Sequence, residues 1–119
     1  MIPNRMKVVF DYLPEFERRA KTLHKKYASF ANDYKVFLDE LEANPFSGES
    51  LGNHVYKNRM AIASKGKGKS GGARVITYNV KEISQDEVLI TLMTIYDKSE
   101  KGNVSDAYLK SLVAEIAKH

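Results

Sequence analysis

The sequence predicts an α+β domain: a small curved antiparallel sheet with an N-terminal helical hairpin and a C-terminal helix, in the order β-α-α-β-β-β-α. Three observations carry this. Two N-terminal stretches and one C-terminal stretch repeat apolar residues at helical spacing, the middle of the chain holds short β-branched segments, and Pro, Asn and Gly punctuate the joins. At 119 residues, 43% hydrophobic and 29% charged, the chain suits a single domain over 1–119 with one core.

Met6 to Asp11, rich in valine, reads as a strand that ends at Tyr12-Leu13-Pro14. Pro14 suits the first turn of a helix, where its missing N–H is not needed, and Leu13, Phe16, Ala20, Leu23 and Tyr27 form one apolar stripe. A second helix from about Asn32 places Phe30, Tyr34, Phe37, Leu38 and Leu41 inward and stops before Asn44-Pro45. Phe46 to Gly52 reads as a loop, Val55 to Ala63 as a strand, and Ala73 to Val80 as its partner. Strand alternation sets Lys57 and Arg59 on one face and Tyr56, Met60 and Ile62 on the other. Val88 to Tyr96 is almost wholly apolar, as a central strand covered on both faces would be. Ser105 then caps a final helix whose inner face is Leu109, Leu112, Val113 and Ile116, with Val104 stapled to Leu109.

Charge is distributed unevenly. Between Glu49 and Glu82 there is no acidic residue, while Lys57, Arg59, Lys65, Lys67, Lys69, Arg74 and Lys81 fall in that interval. Surface cations are normally interspersed with acids, so the tract points to a nucleic-acid phosphate. The alternative is that Arg59 and Arg74 form surface ion pairs with Glu15, Glu100 or Asp97. Gly68-Lys69-Ser70 is not a nucleotide-binding P-loop, because Ala63 stands where that motif needs glycine and a strand follows instead of a helix.

The chain lacks cysteine, which excludes disulfides, thiolate metal sites and cysteine nucleophiles and fits a reducing cytoplasm. His24, His54 and His119 have no metal-ligand spacing, so neither a metal nor a cofactor is expected. The N-terminal apolar run is too short for a signal peptide or membrane span, so a soluble, cytoplasmic protein is expected.

Three segments together carry a family resemblance: Tyr56-Lys57-Asn58-Arg59; Gly68-Lys69-Ser70-Gly71-Gly72-Ala73-Arg74 before Val75 and Ile76; and the turn Ile95-Tyr96-Asp97-Lys98-Ser99-Glu100-Lys101. The chain resembles the RelE/ParE superfamily of bacterial toxins, HigB-like members most closely. The resemblance implies a RelE-like fold and the toxin of a type II toxin-antitoxin pair. Such a toxin is a ribosome-dependent mRNA endoribonuclease that acts in the 30S A site and inhibits translation. It implies a cognate antitoxin partner of helix-turn-helix type and a toxin that is monomeric alone.

Carried over by position, the catalytic candidates are Lys57, Arg59, Arg74, Tyr96 and Lys98. Lys65, Lys67, Lys69 and Lys101 are the RNA-binding candidates. The arginine and tyrosine that follow the last strand in RelE-type toxins align with Ser99 and Ser105 here. Two other readings stand beside this one: a ParE-like, non-enzymatic inhibitor of DNA gyrase, and a basic RNA-binding module of weak activity.

Overall fold

A computed structural model describes residues 6–82, 85–100 and 102–118. Strand β1 (Lys7–Tyr12) leads into helices α1 (Pro14–Lys26) and α2 (Phe30–Ala43). Pro14 opens α1, Glu15 and Glu17 lie in its first turn, and His24, Lys25 and Lys26 in its last, the arrangement the helix dipole favours. Strands β2 (Glu49–Gly52), β3 (Val55–Met60), β4 (Ala73–Glu82) and β5 (Glu87–Asp97) follow, then helix α3 (Asp106–Lys118). The predicted N-cap is present, with Ser105 Oγ accepting from the Tyr108 amide at 3.1 Å.

The architecture is α+β, with three differences from expectation. The stretch expected as a loop over Phe46–Gly52 contains β2. A two-residue turn, Asn53-His54, joins it to β3, with φ of 51° and 69°, the backbone of a type I′ hairpin. Second, the strand expected to reach Ala63 ends at Met60, and Ala63–Lys65 form a 3₁₀ turn. Asp33 in α2 draws the chain aside by accepting from the Ala63 amide at 3.1 Å, and Ser29 Oγ accepts from the Ser64 amide at 2.9 Å. Third, the sheet order is β1-β5-β4-β3-β2, and β1 pairs parallel with β5 while the other pairs are antiparallel. No tight turn joins β1 to β5, so nothing forces that pair antiparallel.

The two helical layers cover opposite faces of the sheet. On one face Phe16, Leu23, Phe30, Phe37 and Leu41 of the hairpin meet Met60, Val75, Ile90, Leu92 and Ile95. On the other, Leu112 of α3 meets Leu13, Val55, Ile76, Met93 and Tyr96. A β-bulge makes this division possible. Ile76 pairs with Thr94 and Thr77 with Leu92, so Met93 is an extra residue in β5. Leu92 and Ile95 therefore share the hairpin face, and Met93 and Tyr96 share the α3 face. Strict alternation would have exchanged Ile95 and Tyr96.

One residue past Tyr96, Asp97 is only 2% exposed. Lys65 Nζ lies 2.6 Å from its Oδ1, the Ser99 amide and Oγ donate to the same oxygen at 2.9 and 2.7 Å, and the Tyr27 hydroxyl donates to Oδ2. Burial alone would raise the Asp97 pKa, but these hydrogen bonds, led by that from Lys65, hold it well below the usual carboxylate range. Glu15 behaves alike: burial opposes ionisation, yet bonds from Tyr108, Arg19 and Arg18 outweigh it and lower its pKa to about 2.

Asp97→Asn leaves the Lys65 ammonium, 7% exposed, without its anion. It should lower stability by on the order of 3 kcal/mol, read as a fall in the urea midpoint; an unchanged midpoint would show that the pair contributes nothing net. Because both carboxyls have folded pKa values below their unfolded ones, their stabilisation is present above about pH 4 and fades as pH falls towards 2. Acid titration by circular dichroism should show stability declining across that window, with a shallower decline in Asp97→Asn. Equal slopes for the two proteins would contradict the assignment.

Candidate functional site

Strand register brings the basic residues together. Arg59 faces Arg74 across β3 and β4, and Arg74 faces Tyr96 across β4 and β5, so the three form one row. The next row on that face begins at Glu49, which stands opposite Lys57 with Oε1 3.6 Å from Nζ. β2 pairs only with Val55–Lys57, so β3 from Asn58 onward has no strand beside it on that edge.

A cleft of about 870 Å³ opens there. Lys57, Arg59, Lys69, Arg74 and Lys98 line it from β3, β4 and the two loops, while Glu40 of α2 and Glu49 of β2 supply its carboxylates. Five cations against two anions leave a formal excess of +3. Such a concave basic surface concentrates field lines and attracts an anion. Among the described residues no group of three or more His, Asp or Glu is placed to hold a metal ion.

The cations differ in what already holds them. Arg59 is exposed and, among the described residues, has no ion-pair partner. The carboxylates considered for Arg59 and Arg74 are engaged elsewhere: Glu15 with Arg18 and Arg19, Glu100 with Lys26, Asp97 with Lys65. Arg74, 6% exposed, donates to the carbonyls of Lys69, Ser70 and Ala73 at 3.1–3.2 Å. Its guanidinium clasps the glycine-lysine loop while its charge faces the cleft. Lys69 lies 3.1 Å from Glu40 Oε1, and Lys98 is exposed at the rim.

One loop cation is placed differently from expectation. Lys65 was expected to grip RNA from the loop, but its side chain turns inward onto Asp97 and anchors the loop to the domain. The loop is strapped at its far end as well. Gly72 accepts from the Lys98 amide at 3.0 Å, and a Cβ added there would lie 2.1 Å from the Met60 carbonyl oxygen. Lys67 is exposed on this loop and does not line the cleft. Lys101 lies outside the described residues.

Tyr96, the inner member of the row, is 5% exposed and does not line the cleft, and its hydroxyl has no hydrogen-bond partner among the described residues. Burial pushes its pKa up despite the nearby Arg74, so the phenol stays protonated and able to donate. Asn58 is locked by bonds from Nδ2 to Val75 O and Thr77 Oγ1, both 3.1 Å, leaving its buried Oδ1 unpaired. Gly48 packs against that oxygen so closely that an added Cβ would lie 2.3 Å away.

Glu40, Glu49 and Asn58 were absent from the sequence-derived site. Glu49 bounds the acid-free tract and so was excluded by its definition. Only β2 and its register set it opposite Lys57. No family model matches the chain.

Single-stranded RNA should bind with a log K that falls as log salt rises, by about 0.7 for each phosphate neutralised. Arg59→Ala, which breaks no described contact, should make the slope shallower by about 0.7. Fluorescence anisotropy across a salt series measures both, and an unchanged slope would remove Arg59 from the phosphate contacts.

Proposed function

We propose that the protein is a RelE-like, HigB-like toxin that cuts mRNA in the ribosomal A site and so arrests translation. The observation that carries the reading is a cleft with excess positive charge that also holds a carboxylate, Glu49, beside Lys57. A phosphate site needs only the cations. Cleavage by a ribose 2′-hydroxyl also needs a base to remove its proton, and of the two lining carboxylates Glu49, paired with Lys57 next to the arginine row, is assigned that task in this reading.

In this mechanism the 2′-oxygen attacks the adjacent phosphorus as Glu49 takes its proton. The new O2′–P bond forms, the P–O5′ bond breaks, and the leaving 5′-oxygen takes a proton from Lys98. The products are a 2′,3′-cyclic phosphate and a free 5′-hydroxyl. Lys57, Arg59 and Arg74 offset the charge that builds on the non-bridging oxygens, where fixed cations act more strongly on the transition state than on the ground state. Tyr96 remains a neutral donor beside Arg74. Lys67 and Lys69 extend the basic surface towards ribosomal or messenger RNA. An antitoxin segment that covers the cleft with acidic side chains would neutralise the toxin.

The test is primer extension on mRNA from translating ribosomes supplied with purified protein. Wild type should produce discrete cuts, and Glu49→Gln should slow them by roughly 10²–10⁴, the value of one general base. Circular dichroism should show the variant folded. Intact mRNA with folded wild-type protein would sink the enzymatic reading. Cutting by Glu49→Gln at the wild-type rate would remove Glu49 from the chemistry and leave the cleft as a phosphate site.

A further inference from the structure

The two edges of the sheet are unlike. β2 is four residues long, exposed throughout and interrupted by a register shift between Ser50 and Gly52, which blunts it against further pairing. β1 is six residues long, carries Val8, Val9 and Phe10 in its middle, and has no strand on its outer side among the described residues. The Lys7 amide donates to Asp86 O at 2.8 Å and the Leu13 amide to Leu92 O at 3.0 Å, so the odd-numbered residues of β1 bond to β5. Alternation turns the amides and carbonyls of Val8, Phe10 and Tyr12 outward. Asp11 Oδ1 caps the Tyr12 amide at 2.8 Å, while the amides of Val8 and Phe10 have no partner among the described residues.

We propose that β1 pairs antiparallel with β1 of a second copy of this chain, about a two-fold axis at Val9, so that one sheet runs through both copies. In that register Val8 stands opposite the partner's Phe10 and Phe10 opposite the partner's Val8, the hydrogen-bonded pairs that the open amides and carbonyls require. Lys7 then stands opposite the partner's Asp11, and Asp11 opposite the partner's Lys7. Both side chains are exposed, and among the described residues neither has an ion-pair partner in its own chain. The segment Lys7-Val8-Val9-Phe10-Asp11 is thus complementary to itself when reversed, as a two-fold contact demands. Charge also selects the register. An axis at Val8 or at Phe10 would keep the hydrogen-bond pattern but set Lys7 or Asp11 opposite Val9.

The strands beside this edge leave apolar surface open. Val9, Leu89 and Val80 stand in one row across β1, β5 and β4, on the side of the sheet that α3 covers elsewhere, and none of them belongs to the cluster beneath that helix. Leu89 is 36% exposed. Pairing at Val9 joins this row to its copy, with Val9 against the partner's Val9. On the hairpin side Val8 and Phe10 already pack on the core, and Tyr12, 49% exposed, comes opposite the partner's Met6. The basic cleft is lined from β3 and β4, so pairing at β1 leaves it open, and the inference stands apart from the RNA-cleavage reading. The resemblance to RelE-type toxins implies a toxin that is monomeric alone; the free edge points the other way.

Sedimentation equilibrium of the full-length protein tests the dimer. Wild type should associate reversibly into dimers. Lys7→Asp and Asp11→Lys each turn two attractive pairs into two repulsive ones and should weaken association about tenfold. An equimolar mixture of the two variants should restore it, because each presents the charge that the other repels in itself, and so should the chain carrying both substitutions. In hydrogen exchange followed by NMR, the Val8 and Phe10 amides should exchange more slowly as protein concentration rises. Circular dichroism checks each variant for folding. Asp11→Lys also removes the Tyr12 cap, so Lys7→Asp, which breaks no described side-chain contact, carries the test where that variant fails to fold.

A wild-type monomer at every concentration would overturn the proposal, and so would a dimer that Lys7→Asp leaves unchanged. Exchange at Val8 and Phe10 that does not depend on concentration would remove β1 from the contact. A mixture no more dimeric than its two components would overturn the antiparallel register at Val9. None of these outcomes bears on whether the cleft cuts RNA.

Discussion

The extra residue Met93 in β5 is the constraint on which the rest of the site depends. By shifting the alternation of the strand by one position, it sends Ile95 into the hairpin core, Tyr96 to the row of Arg59 and Arg74, and Asp97 back to the hairpin side. Consecutive residues thus serve opposite faces. Tyr96 sets a buried, protonated phenol in the α3-side core opposite Arg74 in register, while Asp97 brings a buried anion to the loop on the other side.

Asp97 then decides how the basic loop is held. Its bonds to Lys65, Tyr27 and Ser99 connect the loop, the helical hairpin and the turn after β5. Asp33 and Ser29 hold the loop's first turn, and Arg74 closes its end through backbone carbonyls. A glycine-rich segment that would cost much conformational entropy to order is thereby fixed at both ends. The cations divide accordingly: Lys65 is neutralised and buried, Arg74 both fastens the loop and charges the cleft, and Arg59 remains available.

Like charges gather in the cleft, and among the described residues lining it Glu40 and Glu49 are the carboxylates that offset them. Such a gathering persists because rigid strands and strapped loops hold it, a common feature of sites prepared for a charged ligand. Glu49 and Glu40 relieve part of the repulsion through Lys57 and Lys69. Among the described residues no helix is long and apolar enough to cross a membrane.

Helices, their ends and most strands were legible in the sequence because the signals are local: Pro14 and Pro45 mark boundaries, and apolar spacing defines each buried face. The concentration of cations between Glu49 and Glu82 was legible for the same reason. Local pattern does not carry partner choice. Glu49-Ser-Leu-Gly52 contains no β-branched residue, so β2 forms only because a type I′ turn returns the chain onto β3. Lys65 and Lys67 look alike in sequence, and distance to a buried carboxylate separates them. The amino-acid sequence by itself determined the elements and the excess of positive charge. Tertiary structure alone decided which cations face the cleft and which carboxylates join them, because register, the Met93 bulge and the packing of α2 couple residues far apart in the chain.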